Sequence, residues 1–152
     1  MKRRALLLLG ANLGDRADSL KNAISGLNAL DGVRVLKCSR IYETAPVGPS
    51  DKPYLNQAVE IETVRTAMGL LLEAKRLESL AGRRPGIRWG ARALDVDLVT
   101  LGTERVRTPW LRVPHPLMRR RDFARAPLAD LSRDWDARKL DPRIVKLWRH
   151  GR

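Results

Sequence analysis

Apolar residues recur along this chain at two different spacings, and the order in which the spacings alternate limits the folds that are open to it. Alternating or short unbroken apolar runs are typical of strands, whereas recurrence every three or four residues is typical of an amphipathic helix. Strand patterns occupy residues 5–9, 33–44, 54–61 and 94–101. Helical patterns occupy residues 20–30 and 66–81. The sequence therefore predicts four strands and two helices.

The order of these segments predicts a ferredoxin-like α+β fold. In a β-α-β-β-α-β chain, the helices pack on one antiparallel sheet. Thr66 is a suitable N-cap for the second helix, and Gly82 is a suitable stop. The last third of the chain is predicted to form a C-terminal extension with a turn-rich stretch and one or two helices, and Trp135 and Trp148 are its candidate packing anchors.

Length and composition bound the class of protein. With 152 residues and 43% hydrophobic content, we expect one globular domain over residues 1–152 with a substantial core. The apolar run 5–9 is too short for a secretory signal, and no run reaches the length of a membrane span. Cys38 is the only cysteine, so we expect no intramolecular disulfide, a small thiol in the core and a cytoplasmic protein. A monomer is the default expectation.

Two carboxylates lie two residues apart in the last predicted strand. Because side chains alternate between the faces of a strand, Asp95 and Asp97 share one face and their apolar neighbours share the other. Carboxylates less than about 7 Å apart repel each other unless a cation lies between them, and Mg²⁺ suits such oxygen ligands. The pair therefore indicates a metal site, with an exposed strand face as the alternative interpretation.

Positive charge is concentrated on both sides of this pair. The formal net charge is +13, which by itself favours a phosphate-bearing ligand. Residues 83–92 contain four arginines and no acid, and residues 105–125 contain seven arginines against Asp122 alone. Basic clusters around a candidate metal site favour a polyphosphate over a long nucleic-acid track, so we expect neither a nucleic-acid nor a membrane partner. A genomic bias toward arginine is an alternative source of part of the excess.

Five motifs along the chain carry a resemblance to a known family. They are GANLGD at 10–15, YETAPVGP at 42–49, YLN at 54–56, RWGARALDVD at 88–97, and VPHP at 113–116 followed by RDF at 121–123. In this order and at this spacing, the chain resembles the 6-hydroxymethyl-7,8-dihydropterin pyrophosphokinases of folate biosynthesis. The resemblance extends over about residues 7–131.

The resemblance implies an enzyme and its chemistry. Members of this family transfer a pyrophosphoryl group from ATP to the hydroxymethyl oxygen of the pterin and release AMP. The implied cofactor is a pair of Mg²⁺ ions at Asp95 and Asp97, the carboxylates that strand alternation already singles out. Arg92 and Arg83 complete the implied catalytic set, because a planar guanidinium binds two phosphate oxygens at once.

The residues that the resemblance assigns to ATP are mainly basic. The loop 83–92 contains glycine and proline as well as arginine, a composition typical of a mobile lid, although Arg84 and Arg88 also suit solvated positions. Glu78 lies beside the apolar stripe of its helix, where it needs a polar partner or lies at the exposed edge. The implied ATP-binding residues are Glu78, Arg83, Arg88, Trp89, Arg92, Leu98, Arg112, His115 and Arg121.

The residues assigned to the pterin include scarce aromatics. Phe123 is the only phenylalanine and Tyr54 is one of two tyrosines, and two rings can enclose a flat heterocycle. Asn56 can donate to and accept from an amide-like edge, and Gly10 allows close backbone approach. The implied pterin-binding residues are Gly10, Thr44, Ala45, Val47, Tyr54, Asn56, Trp89, Asp95 and Phe123.

The chain departs from the family pattern in the region that would contact the nucleotide. Trp110 and Arg112 occupy positions where relatives often carry a basic and a small hydroxylic residue, and residues 124–126 replace an apolar run. These departures bear on base and ribose recognition and leave the carboxylate pair and the aromatic residues unaffected.

Two other functions are compatible with the sequence. A ferredoxin-like RNA-binding domain would suit the fold and charge, but it predicts a basic-aromatic motif on central strands that the sequence lacks. A relative that binds pterin or nucleotide without turnover is the second alternative.

Overall fold

The computed structural model describes residues 1–45, 52–82 and 93–149. The strands are β1 Arg3–Ala11, β2 Val33–Cys38, β3 Tyr42–Thr44, β4 Tyr54–Thr63, β5 Asp95–Leu101, β6 Val106–Arg107, β7 Arg112–Val113 and β8 Val145–Leu147. The helices are α1 Arg16–Asn28, α2 Ala67–Gly82 and α3 Asp122–Leu131, the last preceded by a 3₁₀ turn at Met118–Arg120. Among the described residues, no helix combines the length and the apolar character that a membrane span requires.

One antiparallel sheet organises the chain. Its strand order is β5-β1-β4-β3-β8, with β2 also paired to β4. The order of β5, β1 and β4, followed by β2 and β3 together, is that of the ferredoxin-like fold. The predicted α+β class is therefore confirmed, with β6 and β7 forming a separate hairpin.

The two faces of the sheet bury different residues of the same strands. Leu7 and Leu9 of β1 belong to a core that includes residues of α1 and α2. Leu6 and Leu8 belong to a second core that includes Met118 and residues of α3. Full burial of one leucine side chain contributes about 1.5–3 kcal/mol to folding. Alternation along β1 therefore joins helices on both sides of one sheet.

The helix starts follow side-chain caps. Asp15 is the N-cap of α1, and its side chain accepts a hydrogen bond from the Asp18 N–H at 3.0 Å. The helix therefore begins before the first residue of the predicted apolar pattern. The Thr66 hydroxyl oxygen accepts from the Gly69 N–H at 3.0 Å, which confirms the predicted cap of α2. Gly82 is the last residue of α2.

The prediction of a single strand over residues 33–44 was wrong, because this segment forms two strands. β2 and β3 both pair with β4, but residues 39–41 separate them. Ser39 is buried there, and its hydroxyl accepts from the Ala58 N–H and donates to the Arg40 carbonyl. The Ser39 N–H still donates to the Ala58 carbonyl at 2.9 Å, but the Ser39 hydroxyl accepts the bond from the Ala58 N–H that a backbone carbonyl accepts in a regular ladder. This side-chain bond interrupts the ladder and separates the two strands. Cys38, expected in the core, is exposed at the end of β2.

The C-terminal extension contributes to the sheet. Its β8 pairs with β3, with Thr44 opposite Val145. Trp135 is 6% exposed and belongs to the α3-side core, which confirms its predicted role as an anchor. Trp148 packs against the core on the other face. The extension therefore adds one helix, as expected, and a sheet strand that the sequence patterns did not indicate.

Candidate active site

A cavity of about 400 Å³ opens on the α3-side face of the sheet, at the end that α3 does not cover. It is bounded by the last residue of β3, the first residues of β4 and β5, and the start of α3. The lining residues are Leu8, Gly10, Thr44, Ala45, Tyr54, Asn56, Asp95, Asp97, Arg121 and Phe123. The cavity thus collects seven of the nine residues that the resemblance assigns to the pterin.

Strand register explains why these residues meet. Gly10 lies opposite Asp95 on one side and opposite Asn56 on the other, and Asn56 lies opposite Tyr42. Directly opposed residues of antiparallel strands point to the same face. One row of the sheet therefore carries a carboxylate, a glycine and an amide side by side.

Gly10 gives this row its depth. A Cβ added at Gly10 would lie 3.1 Å from the Asn56 side-chain oxygen and 3.5 Å from Cδ1 of Tyr54. Any larger side chain would extend into the space that Tyr54 and Asn56 border. The absence of a side chain at this position keeps the floor of the cavity at the backbone.

Asp95 and Asp97 lie on one face of β5, as strand alternation predicts. Asp97 is opposite Leu8 and Asp95 is opposite Gly10, and both carboxylates are half-buried. In the described part of the chain, no group of three or more His, Cys, Asp or Glu side chains forms a metal-binding cluster. A pair of carboxylates fits Mg²⁺, which commonly retains waters and binds substrate phosphates.

Asn56 and Thr44 form the polar edge of the cavity. They are 4% and 3% exposed, and the Asn56 side-chain amide donates to the Thr44 hydroxyl. The Ala45 N–H beside them donates to the Ile144 carbonyl at 2.8 Å. Buried polar groups with fixed partners have defined orientations, so this edge can recognise a ligand by its hydrogen-bonding pattern.

Two aromatic rings and one arginine line the remaining walls. Tyr54 begins β4, and Phe123 lies in the first turn of α3. The Arg121 guanidinium carbon lies 5.6 Å from the centroid of the Phe123 ring. The structure thus places Arg121, which the resemblance assigns to ATP, in the cavity that holds the pterin residues.

A second cavity, of about 340 Å³, lies beside β5. It is lined by residues of α2 and β5 and by the segment 108–116, namely Leu71, Lys75, Val96, Asp97, Leu98, Thr108, Pro109, Trp110, Leu111, Arg112, His115 and Pro116. Leu98, Arg112 and His115 are among the residues assigned to ATP. Asp97 lines both cavities, so this carboxylate marks their junction.

His115 is held by β5 and by its own turn. The His115 backbone N–H donates to the Val99 carbonyl at 2.8 Å, and the ring nitrogen Nδ1 accepts from the Leu117 backbone N–H at 3.3 Å. Burial, followed by repulsion from Arg121, lowers the pKa of His115 below its ordinary value. This shift favours the neutral ring, and in the neutral ring an Nδ1 that accepts a hydrogen bond leaves the proton on Nε2 as a donor.

Glu78 supports β5 and lines neither described cavity. Its Oε2 accepts from the Val96 N–H at 2.8 Å, and its Oε1 lies 3.2 Å from the Lys75 ammonium. Val96 separates Asp95 and Asp97 on the outermost strand of the sheet. The polar partners that the sequence requires for Glu78 are thus a backbone amide and a lysine of the second cavity.

Several predicted residues lie outside the described residues: Val47, Arg83, Arg84, Arg88, Trp89 and Arg92. Conversely, sequence reasoning missed Leu8 and Lys75, which line the first and second cavities. Leu8 lines the site because it is opposite Asp97 in the register and shares a face of β1 with Gly10, two residues along the strand. Lys75 could have been found from its position one turn before Glu78 on the same helix.

Known proteins of similar fold include longer, bifunctional ones. The "Folate synthesis bifunctional protein, mitochondrial" of Pisum sativum is 39% identical over 83% of this chain, which spans only 24% of the pea protein. A solved structure of wild-type Plasmodium falciparum HPPK-DHPS with pteroate has a TM-score of 0.68 at 14% identity. That match covers 93% of this chain and 41% of the solved one, and it shows the common fold.

Similarity over nearly the whole chain comes from shorter relatives. The Bacillus subtilis 2-amino-4-hydroxy-6-hydroxymethyldihydropteridine pyrophosphokinase is 38% identical over 98% of this chain and 92% of its own. The protein of the same name from Methylorubrum extorquens is 39% identical over 86% of this chain and 84% of its own. The family model described as 7,8-dihydro-6-hydroxymethylpterin-pyrophosphokinase (HPPK) matches residues 6–133. On these grounds the chain belongs to the HPPK family of transferases.

Proposed function

We propose that this chain transfers pyrophosphate from ATP to the hydroxymethyl group of 6-hydroxymethyl-7,8-dihydropterin, in a Mg²⁺-dependent reaction that releases AMP. The observation that carries the proposal is the shared position of Asp97, which lines both cavities. A group-transfer enzyme needs two substrate sites that meet where charge must be neutralised. The junction of the two cavities at a carboxylate supports that arrangement.

The pterin occupies the first cavity. A flat heterocycle fits between the Tyr54 and Phe123 rings, where stacking adds to the burial of apolar surface. Asn56 and Thr44 form the polar edge of this cavity. Their hydrogen bond fixes which Asn56 atoms face the ligand, so the edge selects for a matching donor and acceptor pattern.

ATP occupies the second cavity, with its phosphates directed toward Asp97. Arg112, Lys75 and the neutral His115 ring supply donors to phosphate oxygens. Leu71 and Leu98 provide apolar surface for the base. By resemblance, Arg83 and Arg92 also act on the phosphates.

Asp95 and Asp97 would hold Mg²⁺. Their two carboxylates leave room for water and phosphate ligands, which is the usual mode of Mg²⁺ binding at nucleotides. When bound there, Mg²⁺ supplies neutralisation of phosphate charge and orientation of the triphosphate. Both carboxylates line the first cavity, where the pterin and its hydroxymethyl group are proposed to bind.

The transfer forms one bond and breaks another. The pterin hydroxymethyl oxygen attacks the β-phosphorus of ATP, a new O–P bond forms, and the bridging oxygen between the α- and β-phosphorus atoms leaves on AMP. The hydroxyl proton is lost to solvent or to a carboxylate at the junction. Because such transfers depend mainly on positioning and charge stabilisation, the cavity walls account for much of the expected rate enhancement.

Product analysis tests the proposal. Purified protein is incubated with ATP, Mg²⁺ and the pterin, and the nucleotides are separated by chromatography. AMP that forms only when both the pterin and Mg²⁺ are present supports pyrophosphate transfer. ADP as the nucleotide product, or no product that depends on the pterin, would contradict it.

A further inference from the structure

The chain continues beyond the residues that the family model matches, and the continuation pairs with β3, the strand whose last residue lines the first cavity. The family match ends at residue 133. Residues 134–148, here called the C-terminal strap, run from the α3-side core to the far edge of the sheet, where β8 pairs with β3. The strap supplies none of the described lining residues of the first cavity, so any effect on the ligand acts through neighbouring residues.

The first end of the strap is anchored beside α3. Trp135 is buried in the core that includes α3 residues, and the Arg119 guanidinium carbon lies 4.5 Å from the centroid of its ring. Arg125 of α3 donates to the Asp136 carbonyl at 3.0 Å. This end of the strap is therefore fixed to the helix that carries Phe123.

The second end is anchored to β3. The Ala45 N–H donates to the Ile144 carbonyl at 2.8 Å, and the Trp148 N–H donates to the Ile41 carbonyl at 2.9 Å. Val145 is 5% exposed opposite Thr44. Since β3 has only three residues, pairing on its second side contributes a large share of its backbone hydrogen bonds.

We infer that the C-terminal strap is a positioning element for the pterin site. It ties the helix that carries Phe123 to the strand end that presents Thr44 and Ala45, and all three residues line the first cavity. The inference rests on the proposed function, because it assigns the pterin to that cavity.

A second connection joins β3 and α3 but acts at the other end of the strand. Asp130 of α3 accepts from the Arg40 guanidinium at 2.8 Å and from the Tyr42 hydroxyl at 3.1 Å. Tyr42 begins β3 and does not line the first cavity. The end of β3 at Thr44 and Ala45 depends instead on β4 and on the strap.

The inference predicts an effect on one substrate only. The described lining of the second cavity comes from α2, β5 and residues 108–116, and it includes no strap residue. Loosening the strap should therefore weaken pterin binding and spare ATP. A general loss of folded structure would affect both ligands together.

Substitution at Lys146 separates the backbone from the side chain. Lys146 is exposed in β8, opposite Glu43, and hydrogen-bonded backbone pairs flank this position on both sides. Alternation along an antiparallel ladder therefore directs the Lys146 N–H toward Glu43. Lys146→Pro removes that donor, whereas Lys146→Ala keeps it, and both lose the same ion pair with Glu43.

The measurement is the affinity of each full-length variant for 6-hydroxymethyl-7,8-dihydropterin and, separately, for a non-hydrolysable ATP analogue with Mg²⁺. Relative to Lys146→Ala, Lys146→Pro should raise the pterin Kd about fivefold or more, the scale of one lost hydrogen bond. The Kd of Lys146→Pro for the ATP analogue should change by less than about twofold, which is below the effect of one lost hydrogen bond. Equal pterin affinity of the two variants, or a parallel loss for both ligands, would overturn the inference.

Hydrogen exchange of the Ala45 amide in the unsubstituted chain provides a test that does not depend on the variants folding. The bond to Ile144 predicts a protected amide, and in Lys146→Pro this protection should fall while protection in β1 persists. An Ala45 amide that exchanges like an open one would contradict the strap pairing. If the unsubstituted chain has a protected Ala45 amide but binds no pterin, the proposed function fails and the strap pairing stands.

Discussion

The α3-side face of the sheet has two halves that use the same strands for opposite purposes. In one half, Leu6 on β1 and Ala58 on β4 are buried under α3. In the other half, Asn56 and Gly10 line the cavity. Asn56 lies two residues from Ala58 on β4, and Gly10 lies two residues from Leu8 on β1, each pair on one face. A single step of the two-residue period thus converts core into binding surface. The difference lies in residue type and helix coverage, not in backbone architecture.

The largest expected effect comes from the carboxylate at the junction of the cavities. Asp97→Ala should lower kcat by about 10³-fold or more, because a charge that positions the transferring group is lost. The pterin Kd should stay within about threefold, since the aromatic and amide contacts remain. Steady-state kinetics and pterin titration measure the two quantities. An equal loss of pterin binding would contradict the proposal that Asp97 acts on the transferred group while other residues hold the pterin.

The core half should respond in stability and not in affinity. Leu6→Ala removes a buried side chain from the α3-side core and should lower the free energy of unfolding by about 2–5 kcal/mol. Denaturant unfolding measures the change. At a temperature where the variant is folded, its pterin Kd should match that of the unsubstituted chain. Loss of affinity without loss of stability would contradict the division between the halves.

Gly10→Ala should give the reverse result. The added Cβ would lie 3.1 Å from the Asn56 side-chain oxygen, so the polar edge must shift. The pterin Kd should rise about tenfold. The free energy of unfolding should fall by only about 1 kcal/mol, because backbone pairing is retained. Titration and thermal unfolding of the same preparation compare the two. Unchanged affinity would place the pterin away from the Gly10 floor.

The smallest expected effect is a change in proton binding at His115. Its lowered pKa arises from burial and from Arg121, so negative phosphates placed beside the ring should raise that pKa. An NMR titration of the two histidines, with and without a Mg²⁺-bound ATP analogue, measures the shift. An unchanged His115 pKa would remove this ring from the phosphate site.

The same pKa makes a prediction for the protein without ligand. A histidine pKa lowered by folding means that the unfolded chain binds the proton more readily. The stability contributed by neutral His115 is present above the ordinary pKa and is lost as the pH falls through the lowered value. His115→Asn should therefore make the free energy of unfolding depend less on pH in the range below the ordinary histidine pKa. Denaturant unfolding of both proteins over that pH range measures the difference.

Hydrophobic spacing predicted the ferredoxin-like core because its elements are long and strongly periodic. The cap at Thr66 and the common face of Asp95 and Asp97 follow from local geometry and agree with the structure. Two shorter features could not be predicted in this way. Ser39 interrupts the pattern by hydrogen bonding, and β8 has only three residues, of which Val145 alone is buried.

The prediction of which residues form the candidate site depended on family resemblance more than on hydrophobic periodicity. Gly10, Asn56 and Asp95 come from three strands, and only the register of those strands makes them neighbours. Phe123 joins them from a helix that begins far later in the chain. Spacing within one segment carries no information about neighbours on other segments. Leu8 differs, since its place two residues before Gly10 on β1 puts it on the same face.

The most direct test of the account is a crystal structure of the protein with Mg²⁺, the pterin and a non-hydrolysable ATP analogue. We expect the pterin ring beside Tyr54 and Phe123 in the first cavity, the nucleotide in the second, and metal density at Asp95 and Asp97. A nucleotide bound in the first cavity, or phosphates remote from Asp97, would contradict the claim that this carboxylate joins the two substrate sites.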